Sequence, residues 1–449
     1  MNSQKRATKK RALQKTELLG STSIPKALLA MGIPTMIGML VNAFYNLVDA
    51  YFVGGLGESQ MGAISVVYPL GQVVVGLGLL FGNGAASYIS RLLGRGDKEN
   101  ADKVASTALY SSVSVGAVII IISMVFLHPI LKLLGATDSI LPFAATYASI
   151  YIVSCIFNVF NVTMNNIVTS EGAAKTTMCA LLTGAVLNIA LDPLFIYVFD
   201  LGVAGAAIAT AISQVVSTCV YLTYIFRKKS VFHFRVKDCT YTKETMSEIF
   251  KIGIPTLVFQ ILTSVSISLI NNAAGDYGDS AIAGMGVVTR LISMGSLSVF
   301  GFIKGFQPIA GYSYGAKKFD RLREAIKTSI LWSTVFCVIF GVILALFPTA
   351  IVSQFTKGDA EMIRIGAASL RANGISIMLF GFYTVYSSLF LALGKGREGF
   401  ILGACRQGIC FIPVILLLPI VWGLNGIMYA QPIADVLSAV ITVFMAIPL

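Results

Sequence analysis

Twelve long apolar runs separated by short polar connections leave this chain few folds to choose from. They cover about 28–53, 62–90, 104–127, 141–169, 176–199, 203–226, 249–274, 280–310, 326–352, 365–393, 399–422 and 424–449 of its 449 residues. A run of about 20 apolar residues is the length an α-helix needs to cross roughly 30 Å of bilayer hydrocarbon. Away from water only a helix or a closed barrel can satisfy every backbone group, and the strand-type alternation of a barrel is absent. Charged residues are 12% of the chain, about half the roughly 25% usual in a soluble domain. The chain therefore reads as an all-α membrane protein with 12 transmembrane helices.

The charge that remains is sorted by loop. The formal net charge is +12, and the basic residues gather in alternate connections. Lys5, Arg6, Lys9, Lys10, Arg11 and Lys15 precede the first span, and Arg91, Arg95, Lys98 and Lys103 lie between spans two and three. Arg227, Lys228, Lys229, Arg235, Lys237 and Lys243 join spans six and seven, and Lys317, Lys318, Arg321, Arg323 and Lys327 join eight and nine. The intervening loops carry Glu58, Asp200, Asp276 and Asp279, with Lys132 and Lys357 as the exceptions. By the positive-inside rule both termini face the cytoplasm. Basic charge that orients a chain in a membrane needs no nucleic-acid partner to explain it. The first apolar run is too long for a signal-peptide core, contains Asp49 and lacks a small-residue cleavage pattern. Seven cysteines lie mostly within spans, no C-x-x-C occurs, and there are two histidines, His128 and His233. Metal sites and disulfide frameworks are thus disfavoured.

A repeat organises the spans. "MGIPT" at 31–35 returns as "IGIPT" at 252–256, an offset of 221. The same register matches Gly54 to Gly275, Gly57 to Gly278, Ser59 to Ser280, Val66 to Val287, Gly84 to Gly305, Gly94 to Gly315 and Asp138 to Asp359. "GVAG" at 202–205 answers to "GLNG" at 423–426. An even number of spans per unit makes the repeats parallel, related by a pseudo-twofold axis along the membrane normal, as in several secondary transporters with a substrate site at the repeat interface. The expected organisation is a basic tail at 1–23, a first six-helix lobe at 24–227, a linker at 228–247 and a second lobe at 248–449.

The halves differ in their acids. Asp49 corresponds to Ile270, Thr210 to Gln431, Asp435 to Gln214, and Asp192 falls opposite Ile412 and Pro413. An aspartate at the centre of a spanning helix costs about 2.5–3.5 kcal/mol on insertion scales and marks a functional site by default. Asp49 and Asp192 lie about five and seven residues from the outer ends of spans one and five, roughly 8–11 Å deep at 1.5 Å per residue. Thr210 of span six sits at a similar depth. Asn188 and Asp192 are i and i+4 and share a helical face, as do Tyr45 and Asp49, with Asn46 beside them. Pro193 cannot donate to the carbonyl of Ile189, which frees an acceptor in the same place. Carboxylate, amide, hydroxyl and freed carbonyl describe a small hydrated pocket for a proton or a small cation. A lone intramembrane aspartate reads as readily as a structural hydrogen bonder; two at one depth in one half favour the pocket.

Asp435 lies in the half that also holds Arg290 and Arg406 at mid-depth, so a neutralising structural ion pair is expected there. Lys304, near the inner end of span eight, is expected to snorkel. Asn158, Asn161 and Asn165 fall on one face of span four and are expected, with Tyr45 and Asn46, to line the cavity.

"NLVDAYFVGGLG" (46–57), "EGAAKTTM" (171–178), "NIALDPLFIY" (188–197), "GVAGAAIAT" (202–210) and "GFQPIAGYSYGAKKFDR" (305–321) resemble the multidrug and toxic compound extrusion (MATE) family over nearly the whole chain, nearest its bacterial DinF-like and MepA-like branch. The resemblance implies two six-helix lobes in a V, alternating access, and antibiotic-resistance-type efflux of cationic amphiphilic compounds from the bacterial inner membrane in exchange for H+ or Na+, with no cofactor and a monomeric chain. In that branch the coupling carboxylates sit on helices one and five, which map to Asp49 and Asp192, with Asn188 and Thr210 completing the set. Another branch places acids on helices seven and ten; spans 249–274 and 365–393 hold none there.

Two acids in one poorly solvated pocket cannot easily both be charged, so they titrate as a pair. Neutralising them from outside would let helix one bend near Pro34, with Pro193 kinking helix five, and so shrink the cavity. One charge crossing 100 mV supplies about 2.3 kcal/mol. A lipid-linked oligosaccharide flippase of related architecture is the rival; it would line its cavity with cations, for which Arg290, Arg371 and Arg406 are available. An enzyme would need a His, Ser/Lys or metal constellation, and the sequence offers none.

Overall fold

The computed structural model describes residues 15–56, 58–134, 136–355 and 359–447. Lys5, Arg6, Lys9, Lys10 and Arg11 of the basic tail, Gly57, Lys357 and the chain end at Leu449 lie outside the described residues. The described residues contain no strand and twelve helices long and apolar enough to cross a membrane. They are numbered here α1 (Ile24–Gly54), α2 (Glu58–Gly94), α3 (Lys98–Val125), α4 (Leu141–Ser170), α5 (Ala174–Pro193) and α6 (Gly202–Phe226), followed by α7 (Lys243–Gly275), α8 (Asp279–Gly315) and α9 (Phe319–Leu346). The set is completed by α10 (Ala360–Ala392), α11 (Gly396–Trp422) and α12 (Leu424–Ala446). The chain is a multi-pass membrane protein.

The helices outrun their apolar spans because polar side chains cap their ends. Asp97 accepts from the Asn100 amide at 3.2 Å ahead of α3, and Thr242 accepts from the Thr245 amide at 3.3 Å ahead of α7. Asp359 accepts from the amides of Glu361 and Met362, both at 3.0 Å, and from Ser280 Oγ at 2.7 Å. Such caps satisfy backbone donors that the first helical turn leaves orphaned. Met362 first and Ser280 next hold the Asp359 carboxyl below the usual carboxylate range, since each donates to its charged form.

Proline sets the breaks. The expected span 326–352 stops at Leu346, and Pro348, with no N–H to continue the ladder, opens a separate short helix, Pro348–Val352. The span 104–127 likewise ends at Val125 before a short helix, Leu127–Leu133. After Pro193, α5 widens into a π turn over Leu194–Val198. A second π turn, Cys405–Ile409, lies inside α11.

The repeat is visible in the helix ends. α2 and α8 each have 37 residues and α3 and α9 each have 28, and each pair starts 221 positions apart. The two six-helix bundles form a V whose apex lies at the end carrying the basic loops. There α1 packs on α8 and α2 on α7, and glycines let backbones meet. A Cβ on Gly305 would run into the backbone of Met31 and Gly32, and one on Gly84 into that of Ile249. This is the close approach that small residues permit between membrane helices. Polar ties cross the same seam. Thr35 Oγ1 donates to the Gly301 carbonyl at 2.6 Å, and Asn83 Nδ2 to Thr256 Oγ1 at 2.9 Å. Arg91 pairs with Glu248 at 2.7 Å.

The segment just before α1 also spans the apex. Lys15 pairs with buried Glu171 at 3.1 Å on the first bundle. Glu171 in turn accepts from Tyr224, from Ser230 Oγ and from the Val231 amide. On the other side Arg321 of α9 donates to the carbonyl of Leu19 at 3.0 Å and to that of Thr22 at 2.5 Å.

Candidate ion-coupling site and inter-bundle cavity

α1 runs alongside α5, and this packing brings Asp49 and Asp192 together with their carboxyl groups within hydrogen-bonding reach of each other. Asp192 is fully buried. One turn before it Asn188 donates to Asp192 Oδ1 at 3.3 Å and to Thr210 Oγ1 of α6 at 3.4 Å. Tyr45, one turn before Asp49, lies within electrostatic range of both acids. Tyr147 and Tyr151 of α4, stacked with ring centroids 5.5 Å apart, lie within range of Asp49 from the other side. The sequence reading missed these two tyrosines, because hydropathy does not say which face of α4 turns towards Asp49.

The site is rich in acceptors and short of donors. Asp49 Oδ1, Asp192 Oδ2 and Asn188 Oδ1 are buried and make no hydrogen bond among the described residues. Buried acceptors left in this state are costly, and two carboxyl groups in contact repel when both are charged. A proton shared between the acids, or a small hard cation taken by carboxylate, amide and hydroxyl oxygens, relieves both costs. Pro193 and the π turn behind it break the regular α-helical ladder of α5 directly after Asp192. Pro34 lies where α1 is tied to α8, beside the Thr35–Gly301 hydrogen bond.

The second bundle treats its acid differently. Arg406 Nε meets Asp435 Oδ1 at 2.8 Å with both side chains buried. Ser376 Oγ and Gln431 Nε2 complete the carboxylate at 2.9 and 2.8 Å, and the guanidinium stacks over Phe380 at 4.5 Å. Every charge there is matched. Arg290, expected to share this pair, is instead exposed and makes no ion pair among the described residues. Its depth along α8 was right for the pair, but its face was not.

A cavity of about 540 Å³ opens between the bundles, within the 300–1,000 Å³ usual for drug-sized ligands. The second bundle supplies most of its wall, including Phe259, Phe300, Ser266, Gln407 and Arg406, and the first adds Met39, Tyr68, Leu79, Asn83 and Asn166. Ile270, the counterpart of Asp49, is also on this wall. None of the five expected lining residues is. Tyr45 turns to the acid pair, and Asn46 is exposed and donates to the Asn42 carbonyl at 2.8 Å. The asparagine face of α4 packs on α6 instead. Asn161 donates to the Gln214 carbonyl and side chain at 2.9 and 2.8 Å and accepts from Thr218 at 2.9 Å. Asn165 donates to Tyr221 at 3.3 Å. Asn158, half-buried on the same helix, is not on the wall either. Lys304 does not snorkel: it reaches into the lobe interface, donates to Asn165 and lines the cavity.

Comparison with known proteins gives a consistent picture. The MatE family model matches residues 34–194 and again 255–417, two copies that begin 221 residues apart. The chain is 32% identical over 415 residues, 92% of its length and 91% of the relative's, to the multidrug export protein MepA of Staphylococcus aureus. Among solved structures it is similar to MATE in complex with MaL6, with a TM-score of 0.91, 27% identity and coverage of 96% and 97% of the two chains. It is similar also to the outward-facing conformation of a multidrug resistance MATE family transporter, with a TM-score of 0.90, 27% identity and 96% of each chain covered.

Proposed function

The chain belongs to the MatE family of multidrug exporters, transporters and not enzymes, and from that premise we propose that it is a secondary active antiporter. It moves amphiphilic compounds, cationic ones among them, out of the cell in exchange for H+ or Na+ by alternating access. The observation that carries this reading is the contact between the Asp49 and Asp192 carboxyl groups, with buried acceptors around them left unfilled.

The steps follow from that site. With the V open away from the basic loops, which we place in the cytoplasm, the acid pair takes the coupling ion from outside. Neutralisation removes the repulsion between α1 and α5 and lets the two helices close. α1 carries both Asp49 and Met39, so a shift at the acids is felt at the cavity wall. Below Pro34 the helix is tied to α8, which makes Pro34 the natural pivot and Pro193 its counterpart in α5. Ion entry thus reshapes the cavity and releases its contents outward. After the bundles reopen inward, the ion leaves and the pair is charged again. The monomer contains every part that this cycle needs, divided as lobes 24–227 and 248–449 around the linker.

The flippase reading keeps one cation on the cavity wall, Lys304, but loses its arginines. Of its three arginines, Arg290 and Arg371 are exposed and off the cavity wall, and Arg406 is neutralised by Asp435. The test is export of a fluorescent amphiphile from vesicles under separately imposed proton and sodium gradients. Export driven by either gradient supports antiport, and export indifferent to both refutes it.

A further inference from the structure

Among the described residues, the wall of the inter-bundle cavity contains two cationic side chains, Lys304 and Arg406, and no aspartate or glutamate. The two cations are in different states. Arg406 is offset by Asp435 at 2.8 Å and covered by Phe380. Lys304 has no carboxylate within salt-bridge distance among the described residues, and its hydrogen bond goes to the neutral amide oxygen of Asn165. An uncompensated ammonium at membrane depth is expensive, and such a group is retained where it meets a ligand.

The surroundings of Lys304 fit an anion. Gln307, one turn further along α8, lines the same end of the cavity, and Asn83 and Asn166 approach it from the first bundle. Amide side chains from both bundles therefore line the end of the cavity that holds the ammonium, with Asn83 and Asn166 also donating to Thr256 Oγ1 and to the Val162 carbonyl. Further into the cavity the wall turns aromatic. Phe259 and Phe300 meet edge to face at 5.9 Å, and Phe300 continues onto Phe380 at 5.3 Å. One end holds the unpaired ammonium with amide groups, and beyond it Phe259 and Phe300 present an aromatic face among the other side chains of the wall.

We propose that this cavity binds amphiphilic organic anions, with the anionic group on Lys304 and the aromatic body against Phe259 and Phe300. The proposal rests on the reading of the chain as an exporter and widens its substrate class; the Asp49–Asp192 pair, to which that reading gives the coupling ion, does not share this wall. It also gives the anion a conformational effect. An anion at Lys304 touches both bundles only while the apex is closed, so its binding favours the state seen here over one in which the bundles part at that end.

The test uses two probes with the same aromatic body, pyrenebutyrate and pyrenebutyl-trimethylammonium, titrated onto the full chain in lipid nanodiscs. Binding at equilibrium needs no ion gradient, so this result stands apart from the outcome of the vesicle transport test. The expected result is saturable pyrenebutyrate binding that weakens about tenfold, or 1.4 kcal/mol, in Lys304→Gln. The cation probe should be unaffected, and Lys304→Arg should bind pyrenebutyrate as the unaltered chain does. Gln keeps a donor for Asn165 while removing the charge, so a purely structural lysine would show no selective loss. Equal weakening for both probes in Lys304→Gln, or no saturable pyrenebutyrate binding by the unaltered chain, would overturn the proposal.

Discussion

Asp435 of α12 stands in the repeat where Gln214 stands in α6, and the two side chains show how each bundle treats charge. Gln214 accepts from Asn161 at 2.8 Å, a neutral bond between α6 and α4. Asp435 is held by Arg406, Gln431 and Ser376. The same position ties α6 to α4 through an amide in one bundle, and ties α12 to α10 through Ser376 and to α11 through the Arg406 ion pair in the other. The acids Asp49 and Asp192 have no cationic partner among the described residues, and on the proposed reading this asymmetry is what makes one bundle of a duplicated scaffold ion-responsive.

The buried ion pair should behave as a unit. Removing one member leaves an uncompensated charge in the bundle, a loss of about 3–5 kcal/mol. Arg406→Met and Asp435→Leu should each lower the thermal unfolding midpoint in detergent markedly. The double variant should recover most of that loss. A double variant as unstable as the sum of the two would show that the groups act separately.

Widening a close backbone contact at the apex should shift the conformational balance. In Gly305→Val the side chain must push against Met31 and Gly32, and the bundles separate at the basic-loop end. Spin labels at Arg95 and Lys317, both exposed, should report a longer distance than in the unaltered chain. An unchanged distance would mean that the seam tolerates the side chain by local adjustment.

Arg321 should hold the segment before α1 in place. Its guanidinium binds the carbonyls of Leu19 and Thr22, while Lys15 is fastened to Glu171 on the other bundle. Arg321→Ala should therefore raise the rate of tryptic cleavage after Lys15, read by mass spectrometry. Equal rates would show that the Glu171 side alone secures the segment.

Much of the fold was legible because hydropathy and repetition are properties of the chain itself. The register of 221 carries into the helices, since α8 and α9 start 221 residues after α2 and α3, although the ninth span was expected at 326–352 and its helix runs Phe319–Leu346. Depth counting set Asp49, Asp192 and Thr210 at one level, and the packing of α1, α5 and α6 brings those positions together. What failed was rotation about the helix axis. Asn158, Asn161 and Asn165 do share a face, but nothing in the sequence says that this face meets α6. Arg290 had the depth of Asp435 but points elsewhere. Lys304 was read as reaching for water because it stands near a helix end. Only the neighbouring bundle, with Asn165 at its surface, gives it another place to go.

The orienting amide should matter less than the acids. Asn188→Ala removes the bonds to Asp192 and Thr210, each worth about 0.5–1.5 kcal/mol, or up to about 3 to a charged group. Ion-driven export should fall severalfold but persist, with a higher ion concentration needed for half-maximal rate. Complete loss would make Asn188 a member of the ion's own binding set.

The most direct measurement is dye export from proteoliposomes under an imposed inward gradient of H+ or Na+, comparing the unaltered chain with folded Asp49→Asn and Asp192→Asn. Each substitution should abolish the gradient-driven component, which for one charge at 100 mV amounts to about 2.3 kcal/mol or roughly fifty-fold in concentration, while dye binding persists. Gradient-driven export at the unaltered rate in both variants would contradict the account.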